Sequence, residues 1–508
     1  MSLAKLQELM TMDGWMELFL WLPAMIALTK GLVACGRFLS RWTRVAVHTR
    51  HVPAAPGENW LLGHVFQLMN TCAWEKMYDW VVASPPMVRF RILHRTGIIV
   101  GDPWGLKRIF QTRFKAYDKD LDFSYKPFLP ILGSGLVTAN GNLWQKQRLL
   151  MAPAMRIDML DAILPIAKRA VDRLAEKLVA CDKQVPVIDI EEEFRLLTLQ
   201  VIGEAILSLE PEECDKVFPD LYLPVMEESN RRVLAPWRYL YPLTSMRYNS
   251  KVRRLNNYII NIIRQRRKNR VSGQVDKTQK GDILDRILQA VDERGEKWTT
   301  AIEVQLCYEI KTFLLAGHET SAAMLTWSVY ELAKKPQAMS RVCEEAEKYL
   351  ATGISRESVE SMLWTLSCLK ESLRKYSVVP VVTRDLNTED ELCGHKLPAG
   401  SWIICHLQRV HHLYKDPLEW RPDRFMPGGE YDQFDEEIRP YMFVPFIQGP
   451  RNCLGQYFAL LEARIVLGEL CRRFTFELED AEHQGRTHPT VIPIGPVGGM
   501  RVRVTYRK

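Results

Sequence analysis

One segment of ten residues near the carboxyl end constrains this chain more than any other: residues 446–455, with the sequence FIQGPRNCLG. It places Cys453 among glycine, proline and arginine at the start of an apolar helical stretch. Glycine lets a backbone come close to a planar ligand, and a helix N-terminus beside Arg451 stabilises a thiolate. The pattern predicts that one thiolate binds a soft metal here. The alternative is a buried, unreactive cysteine at a loop–helix junction.

The composition is that of an ordinary globular protein with a large core. The chain has 508 residues, of which 47% are hydrophobic and 25% are charged. Its 11 cysteines are an odd number and contain no C-x-x-C pair, which argues against a disulfide framework. We therefore expect a reducing compartment.

The charge pattern argues against a nucleic-acid partner. The net charge of +7 is modest for this length and favours an acidic protein or a membrane surface. A basic run at 264–270 (RQRRKNR) is the one candidate for a nuclear or nucleic-acid patch. No aromatic residue interrupts it, so we interpret it as the solvated end of a helix.

The first 50 residues are predicted to form a membrane anchor with a basic flank. Residues 18–28 are an unbroken apolar run inside a mostly apolar stretch at 15–34, close to the roughly 20 residues that span a bilayer. Acidic residues precede the stretch and basic residues follow it, which places the body of the protein in the cytosol. An interfacial helix or a targeting peptide is the alternative. The turn-prone PAAPG at 53–57 separates an anchor region at 1–50 from one large domain at 51–508.

Hydrophobic periodicity predicts a mainly α chain with a small β-rich region. Residues 87–100 alternate between apolar and polar side chains and predict a hairpin that turns at Thr96 and Gly97. Long helices are predicted near residues 302–334 and 358–376, with short strands after the second one.

The sequence AGHET at 316–320 lies in the middle of the first of these helices. Small residues there leave room for a planar group against the helix backbone. A threonine in a helix can donate to the carbonyl four residues earlier and open the helix locally, so Thr320 marks a candidate site. The alternative is a kinked core helix in which Glu319 pairs with a neighbouring cation.

Two further pairs of residues have helical spacing. Trp144 and Arg148 are four residues apart, and an indole N–H and a guanidinium on one face suit a buried carboxylate. Glu371 and Arg374 are three apart, a spacing that is common at exposed positions and gains meaning only from its context.

Taken together, these motifs resemble those of the cytochrome P-450 superfamily. The family patterns W-x-x-x-R, A-G-x-[DE]-T, E-x-x-R and F-x-x-G-x-R-x-C-x-G occur here in the family's order, and the resemblance covers roughly residues 52–506. It implies the cytochrome P-450 fold with haem b as the cofactor. By this resemblance Cys453 is the metal ligand, and Glu319 and Thr320 are catalytic residues that deliver protons.

The same resemblance assigns roles to several other residues. Haem-binding contacts, mainly to the propionates, are implied for Trp144, Arg148, Arg384 and Arg451. The segment WRPDRF at 420–425 resembles the family's conserved "PERF" segment, with Asp423 in place of the usual glutamate. A structural triad is implied for Glu371, Arg374 and Arg424.

The implied function is that of a membrane-anchored haem-thiolate monooxygenase. It would hydroxylate an apolar lipid or terpenoid with dioxygen and two electrons, which come from NADPH through a flavoprotein reductase. We expect an acidic reductase to dock near Lys146 and Arg451. The alternatives are a haem-thiolate isomerase or dehydratase acting on hydroperoxides, and a non-catalytic haem sensor.

Substrate and location rest on weaker resemblances. Residues 313–327 resemble carotenoid-ring hydroxylases, whereas residues 444–463 are closer to fatty-acid hydroxylases. The amino terminus favours the endoplasmic reticulum membrane with a cytosolic catalytic domain, and a plastid membrane is the alternative. Apolar segments at 123–132, 378–382 and 491–494 are expected to line the substrate pocket. Residues 234–241 are a candidate membrane-dipping loop.

Overall fold

The fold is known from a computed structural model. It describes residues 43–69, 72–155, 157–182, 187–273, 281–480 and 493–507, together with a few positions between 25 and 40. Most of the predicted anchor stretch and much of the substrate-pocket segment at 491–494 lie outside the described residues. Within the described part of the chain, no helix combines the length and apolar character that crossing a bilayer requires.

Helices dominate the described residues, as the sequence predicts. Eleven helices have at least 11 residues each. They are α1 (Ala73–Ala83), α2 (Gly141–Met151), α3 (Ile157–Asp182), α4 (Ile190–Leu207), α5 (Leu223–Leu234), α6 (Pro242–Val271), α7 (Ile283–Glu293), α8 (Thr300–Lys334), α9 (Pro336–Leu350), α10 (Leu363–Tyr376) and α11 (Gln456–Arg473). Shorter helical segments lie at Val65–Met69, Pro103–Lys107, Arg108–Thr112, Phe114–Ala116, Lys126–Phe128, Leu129–Leu132, Ala152–Met155, Pro211–Val217, Phe218–Tyr222, Pro236–Leu240, Arg356–Glu360, Leu407–His411, Pro422–Phe425, Glu430–Gln433 and Arg439–Met442.

The long helix α8 runs through the core and positions the site. Its first turn is capped by Thr299, whose side chain accepts a hydrogen bond from the Ile302 amide. Most of its carboxyl-terminal half is buried, because it packs against α4, α6, α10 and α11. A helix that is apolar on nearly every side is typical of a core element.

Within the described residues, the strands form three small sheets. The largest has the order β1-β2-β8-β5-β3, and only its β2–β8 pair is parallel. The second has the order β4-β10-β9, and β6 pairs with β7. The strands are β1 (Met87–Ile92), β2 (Arg95–Val100), β3 (Tyr117–Asp118), β4 (Val187–Asp189), β5 (Val381–Leu386), β6 (Asp390–Leu392), β7 (His395–Leu397), β8 (Trp402–His406), β9 (Phe474–Leu478) and β10 (Arg501–Tyr506).

The predicted hairpin is confirmed, but its predicted turn is wrong. β1 and β2 pair antiparallel, and the chain turns at Leu93 and His94, two residues before Thr96. Gly97 lies inside β2, where an added Cβ would be 2.4 Å from the Phe90 ring. The glycine therefore allows close packing within the sheet and does not form the turn.

Helix boundaries differ from the prediction in one place. The helix predicted near residues 302–334 runs over Thr300–Lys334, in good agreement. The helix predicted near 358–376 is two helices, Arg356–Glu360 and Leu363–Tyr376. Ser355 caps the first of them through a reciprocal capping box with Ser358, which explains its separate start.

Candidate functional site

Several predicted site residues converge on one cavity. It has a volume of about 280 Å³ and lies between α8, α2 and the cysteine loop. Residues that are distant in sequence contribute to its walls, which are mostly apolar. The predicted residues that line it are Trp144, Arg148, Thr320, Arg451 and Cys453.

The loop that carries Cys453 is tightly folded. The Cys453 amide donates to the Phe446 carbonyl at 2.8 Å. Gly449 has a φ of +74°, and an added Cβ would lie 2.1 Å from the Phe110 carbonyl oxygen. Only glycine fits that position without moving the backbone. The loop ends at Gly455, and α11 begins at the next residue.

The Cys453 thiol lies deep in the protein but faces the open cavity. Cys453 is exposed to the space of this cavity. The protein that encloses the cavity keeps the thiol away from bulk solvent and raises its pKa, while the Gly455 amide and the Arg148 guanidinium act in the opposite direction. The thiol is therefore placed to bind a group that enters the cavity, and a metal would replace its proton.

Arg148 holds the cysteine loop. Its guanidinium donates to the Asn452 carbonyl at 2.8 Å and to Asn452 Oδ1 at 2.6 Å. Trp144, one turn earlier on α2, lies under the Arg451 guanidinium at 4.4 Å from ring centroid to Cζ. Both predicted residues of α2 thus support the loop and also line the cavity.

Buried cations cluster on one side of the cavity. Arg384 is almost fully buried but does not line the cavity, and its Nη2 has no hydrogen-bond partner within the described chain. Lys119 lines the cavity and was not predicted, since no pattern marks a single lysine in sequence. Burial, and then the Arg384 and Arg451 charges, hold the Lys119 pKa well below its usual range.

Arg451 belongs to the same cluster. Its Nη1 donates to the Ala139 carbonyl at 3.0 Å, its Nε is buried without a partner among the described residues, and Asp118 lies 3.8 Å from Nη2. Burial and the Arg384 charge lower the Arg451 pKa to about 10. One distant carboxylate is a poor match for a cluster of cations, so the site favours an added anion.

The two residues of the acid–threonine pair face different spaces. Thr320 lines the cysteine cavity, and its Oγ1 donates to the Ala316 carbonyl at 2.6 Å. Glu319 lines a second cavity of about 750 Å³, where Arg195 Nη2 lies 3.4 Å from its carboxylate. Burial raises the pKa of Glu319, and the Arg195 charge opposes that rise.

The predicted structural triad is confirmed. Arg374 Nε donates to Glu371 Oε2 at 2.7 Å, and Arg424 Nε donates to Glu371 Oε1 at 3.2 Å. All three side chains are buried, and the two guanidiniums also donate to backbone carbonyls. None of the three lines the cysteine cavity, so their part is to fix α10 against the Pro422–Phe425 segment.

The residues at the cysteine cavity fit haem. The thiol faces the cavity, apolar side chains form most of its walls, and buried guanidinium nitrogens without partners lie on one side. A planar apolar group with two carboxylates and a metal would satisfy each of these features. The individual contacts assigned to Trp144, Arg148, Arg384 and Arg451 stay predictions.

Comparisons with known proteins agree with this geometry. Residues 53–497 match the family described as Cytochrome P450. The chain is 28% identical to Cytochrome P450 4X1 of Homo sapiens over 478 residues, covering 89% of this chain and 91% of that protein. It is 27% identical to Cytochrome P450 4F8 of Homo sapiens, covering 93% and 94%. Protein LUTEIN DEFICIENT 5, chloroplastic, of Arabidopsis thaliana is 26% identical, covering 92% of this chain and 79% of its own length.

Proposed function

The chain belongs to the cytochrome P450 family and is a monooxygenase of that family, and we propose that it hydroxylates a long-chain apolar lipid at haem b bound by Cys453. One observation supports the proposal more than any other. The Cys453 thiol faces an apolar cavity that also has the Thr320 hydroxyl in its wall. A metal ligand and a proton donor thus border the same space.

Haem bound through a cysteine thiolate supplies the activation of dioxygen in this family. The chain's own residues hold and orient that group. Arg451, Lys119 and Arg384 would neutralise its two carboxylates, and Arg148 fixes the cysteine loop through Asn452. Arg451 and Arg384, whose guanidinium groups each bury a nitrogen without a partner among the described residues, would gain charge-assisted hydrogen bonds from these carboxylates.

Thr320 and Glu319 are proposed to deliver protons. Thr320 holds a proton at Oγ1 in the cysteine cavity, and Glu319 collects protons from the other side of α8. Because burial raises the Glu319 pKa, this carboxyl can carry a proton closer to neutral pH than an ordinary glutamate does. The presence of this acid–threonine pair on α8 favours monooxygenation over rearrangement of hydroperoxides or haem sensing.

The cavity walls support a lipid substrate. Leu136, Val137, Phe313, Val378 and Val379 line the cavity with apolar side chains. Among the described residues, the charged side chains that line it are Lys119, Arg148 and Arg451, which are assigned to the cofactor or the cysteine loop. A substrate in the cavity would therefore contact mainly apolar groups. We propose a long-chain lipid in preference to a terpenoid because residues 444–463 resemble fatty-acid hydroxylases.

Electrons are proposed to come from NADPH through a flavoprotein reductase. The reductase is proposed to dock near Lys146 and Arg451. The Arg451 side chain is buried against Trp144 and the Ala139 carbonyl, so its charge is not exposed for direct contact with this partner. Lys146 is exposed but is paired with Glu296 at 3.2 Å. Leu149 and Tyr457 are exposed on α2 and α11, the helices that flank the cysteine loop. The docking surface is therefore proposed to be mixed, with apolar as well as charged contacts.

Membrane attachment also belongs to the proposal. Exposed aromatic and apolar side chains follow one another at Trp237, Leu240, Tyr241, Leu243 and Met246. A patch of this kind marks a membrane or partner surface. With the apolar stretch at 15–34, it supports a protein of the endoplasmic reticulum membrane whose catalytic domain is cytosolic, and a plastid membrane is the alternative.

Spectroscopy of the reduced, carbon monoxide-treated protein tests the haem ligand. We expect the Soret band of a thiolate-bound haem in the wild type. Cys453→Ala should lose it, and Cys453→His should give the spectrum of an imidazole-bound haem. Cys343→Ala, at a half-buried cysteine away from the cavity, should keep the wild-type band. An unchanged band in Cys453→Ala would refute the proposal.

A further inference from the structure

A second large cavity lies on the opposite side of α8 from the cysteine cavity. Its volume is about 750 Å³, and α4, α5, α8 and the backbone at Pro493 and Gly495 form its walls. Glu319 is in its wall, whereas the next residue, Thr320, is in the wall of the cysteine cavity. Consecutive residues of a helix point about 100° apart, which is why one helix can serve both spaces.

The second cavity connects solvent to the core. Glu192, Glu227 and Arg231 line it with exposed side chains, which form its outer rim. His318 and Glu319 line it with buried side chains, which form its floor. The walls between the rim and the floor mix polar and apolar side chains, and the space runs from exposed charges to a buried carboxylate. Such a space is a path along which protons can enter.

Polar atoms at the floor of this cavity are suited to bind water. Both ring nitrogens of buried His318 have no hydrogen-bond partner in the described chain, and the hydroxyl of its neighbour Tyr222 has none either. Burial lowers the pKa of His318 to about 3, so its ring stays neutral at physiological pH. A neutral imidazole with two unpartnered nitrogens beside a large cavity can hold water by hydrogen bonds but does not carry the proton as a cation.

Glu191 is the acid best placed to feed this path. It lies one turn before Arg195 on α4 and lines the cavity, with its carboxylate so close to Gly495 that an added Cβ there would be 2.4 Å from Oε1. Burial raises its pKa to about 7 against the opposing charge of Arg195. The other titratable or charged groups that act on it or share its cavity are Asp189, Glu192, Glu227, Arg231, His318 and Glu319.

We propose that this second cavity is the proton inlet of the monooxygenase, and that Glu191 passes solvent protons through water to Glu319 while Arg195 positions the Glu319 carboxylate. The inference rests on the proposed delivery role of Glu319 and Thr320. Each turnover combines substrate, dioxygen, two electrons from the reductase and two protons into hydroxylated product and water. Glu191 donates a proton and regains one from solvent, so it is unchanged at the end of the cycle.

Glu191→Gln is the decisive variant, and Glu193→Gln is its matched control. Glu193 is on the same turn of α4 but does not line the cavity and binds Lys177 at 2.6 Å. With the haem-loaded, full-length protein, Glu191→Gln should lower product per NADPH about tenfold, with the lost electrons recovered as peroxide. This is less than the hundredfold lower limit for a direct general acid, since water also reaches Glu319.

The pH profile separates a relay from a structural role. In the wild type, product per NADPH should fall as the pH rises through about 7, because Glu191 then loses its proton. Glu191→Gln should remove this inflection, and Glu193→Gln should keep it. Equal coupling and equal pH profiles in Glu191→Gln and the wild type would overturn the inlet.

An infrared titration gives a readout that is independent of turnover. The wild type minus Glu191→Gln difference spectrum should contain a protonated carboxyl band that disappears near pH 7. A band that titrates in the range of an ordinary glutamate would overturn the inference. If Glu319→Gln uncouples turnover but Glu191→Gln does not, only the inlet fails. If Glu319→Gln and Thr320→Ala both keep full coupling, the proposed delivery pair fails.

Discussion

The two cavities beside α8 differ in the charge that they bury. The cysteine cavity has apolar walls with a cluster of cations on one side, whereas the second cavity is lined by Glu191, Glu192 and Glu319 with Arg195 among them. The first is suited to a large anionic cofactor and an apolar substrate, and the second to water and protons. In the proposed mechanism, α8 separates a reaction space with mostly apolar walls from a space that supplies protons, and its adjacent residues Glu319 and Thr320 connect the two.

Thr320→Ala should have the largest effect, because it removes the hydroxyl that is proposed to deliver protons inside the cysteine cavity. We expect product per NADPH to fall by roughly 100-fold, in the range for a lost proton donor, while haem and substrate still bind. Product and peroxide are measured together in the same reaction. Thr326→Ala is the control, since Thr326 makes the same bond to the carbonyl four residues earlier but lines neither cavity. Equal losses in the two variants would mean that the effect is on helix stability.

Arg384→Met tests whether the cation cluster destabilises the haem-free protein and binds an anionic group in the haem-loaded protein. In the haem-free chain it should raise the free energy of unfolding by about 1–3 kcal/mol, because it removes a buried charge with an unpartnered Nη2. In the haem-loaded protein it should speed haem loss. Chemical denaturation of both forms checks these opposite signs. Arg294→Met, at an exposed arginine after α7, should change neither. A lower stability of the haem-free variant would contradict the interpretation.

Arg195→Gln should have a smaller effect, confined to the second cavity. Without Arg195 the pKa of Glu319 rises further above its ordinary value. The folded state then holds the Glu319 proton to higher pH than the unfolded chain does, so stability should fall more steeply as the pH rises. Arg195 is itself partly exposed, so we expect less than about 1 kcal/mol at neutral pH.

The pH dependence of thermal unfolding measures this change. Arg169→Gln provides a matched control, because Arg169 forms a similar pair with buried Glu204 at 2.7 Å outside both cavities. The spectrum of the haem pocket should stay unchanged in Arg195→Gln. A shifted Soret band would show that the two cavities are not electrostatically separate.

Lys146→Ala should have the smallest effect, since Lys146 lies in neither cavity. Its pairing with Glu296 leaves little free charge for steering a reductase. The rate of reduction by NADPH and the flavoprotein reductase should therefore fall only slightly between roughly 0.05 and 0.5 M salt, in the variant as in the wild type. A steep salt dependence that disappears in Lys146→Ala would show that the Lys146 charge does steer the reductase. A change in product per NADPH in this variant would contradict the view that Lys146 has no part in proton delivery.

The parts of the site that were predictable from sequence are those with local patterns. Three features each lie within a few consecutive residues. They are the loop around Cys453 that matches the family pattern, the acid–threonine pair, and the helical spacing of Trp144 and Arg148. The triad of Glu371 with its two arginines also followed, because two short motifs supplied its members. These patterns can be recognised in the sequence because one helix or loop fixes the geometry between their residues.

The parts that sequence missed depend on packing between distant segments. Lys119 joins the cation cluster, and Arg195 lies 124 positions before its partner Glu319, with no motif to connect them. The hairpin turn was predicted at the wrong place because glycine is common in turns. Gly97 instead leaves space for the Phe90 and Trp402 rings, which pack against its backbone. A glycine alone does not tell whether the backbone bends or a neighbour needs the space.

The 35-residue length of α8 has a consequence for how this protein can change over time. Because each residue turns the helix by about 100°, one inserted residue before Glu319 would swing both members of the pair away from their cavities. The substitution of a wall residue alters one contact, but a change of length alters every later contact at once. Functional descendants of this chain should therefore differ by substitutions in the first 20 residues of this helix and not by insertions or deletions.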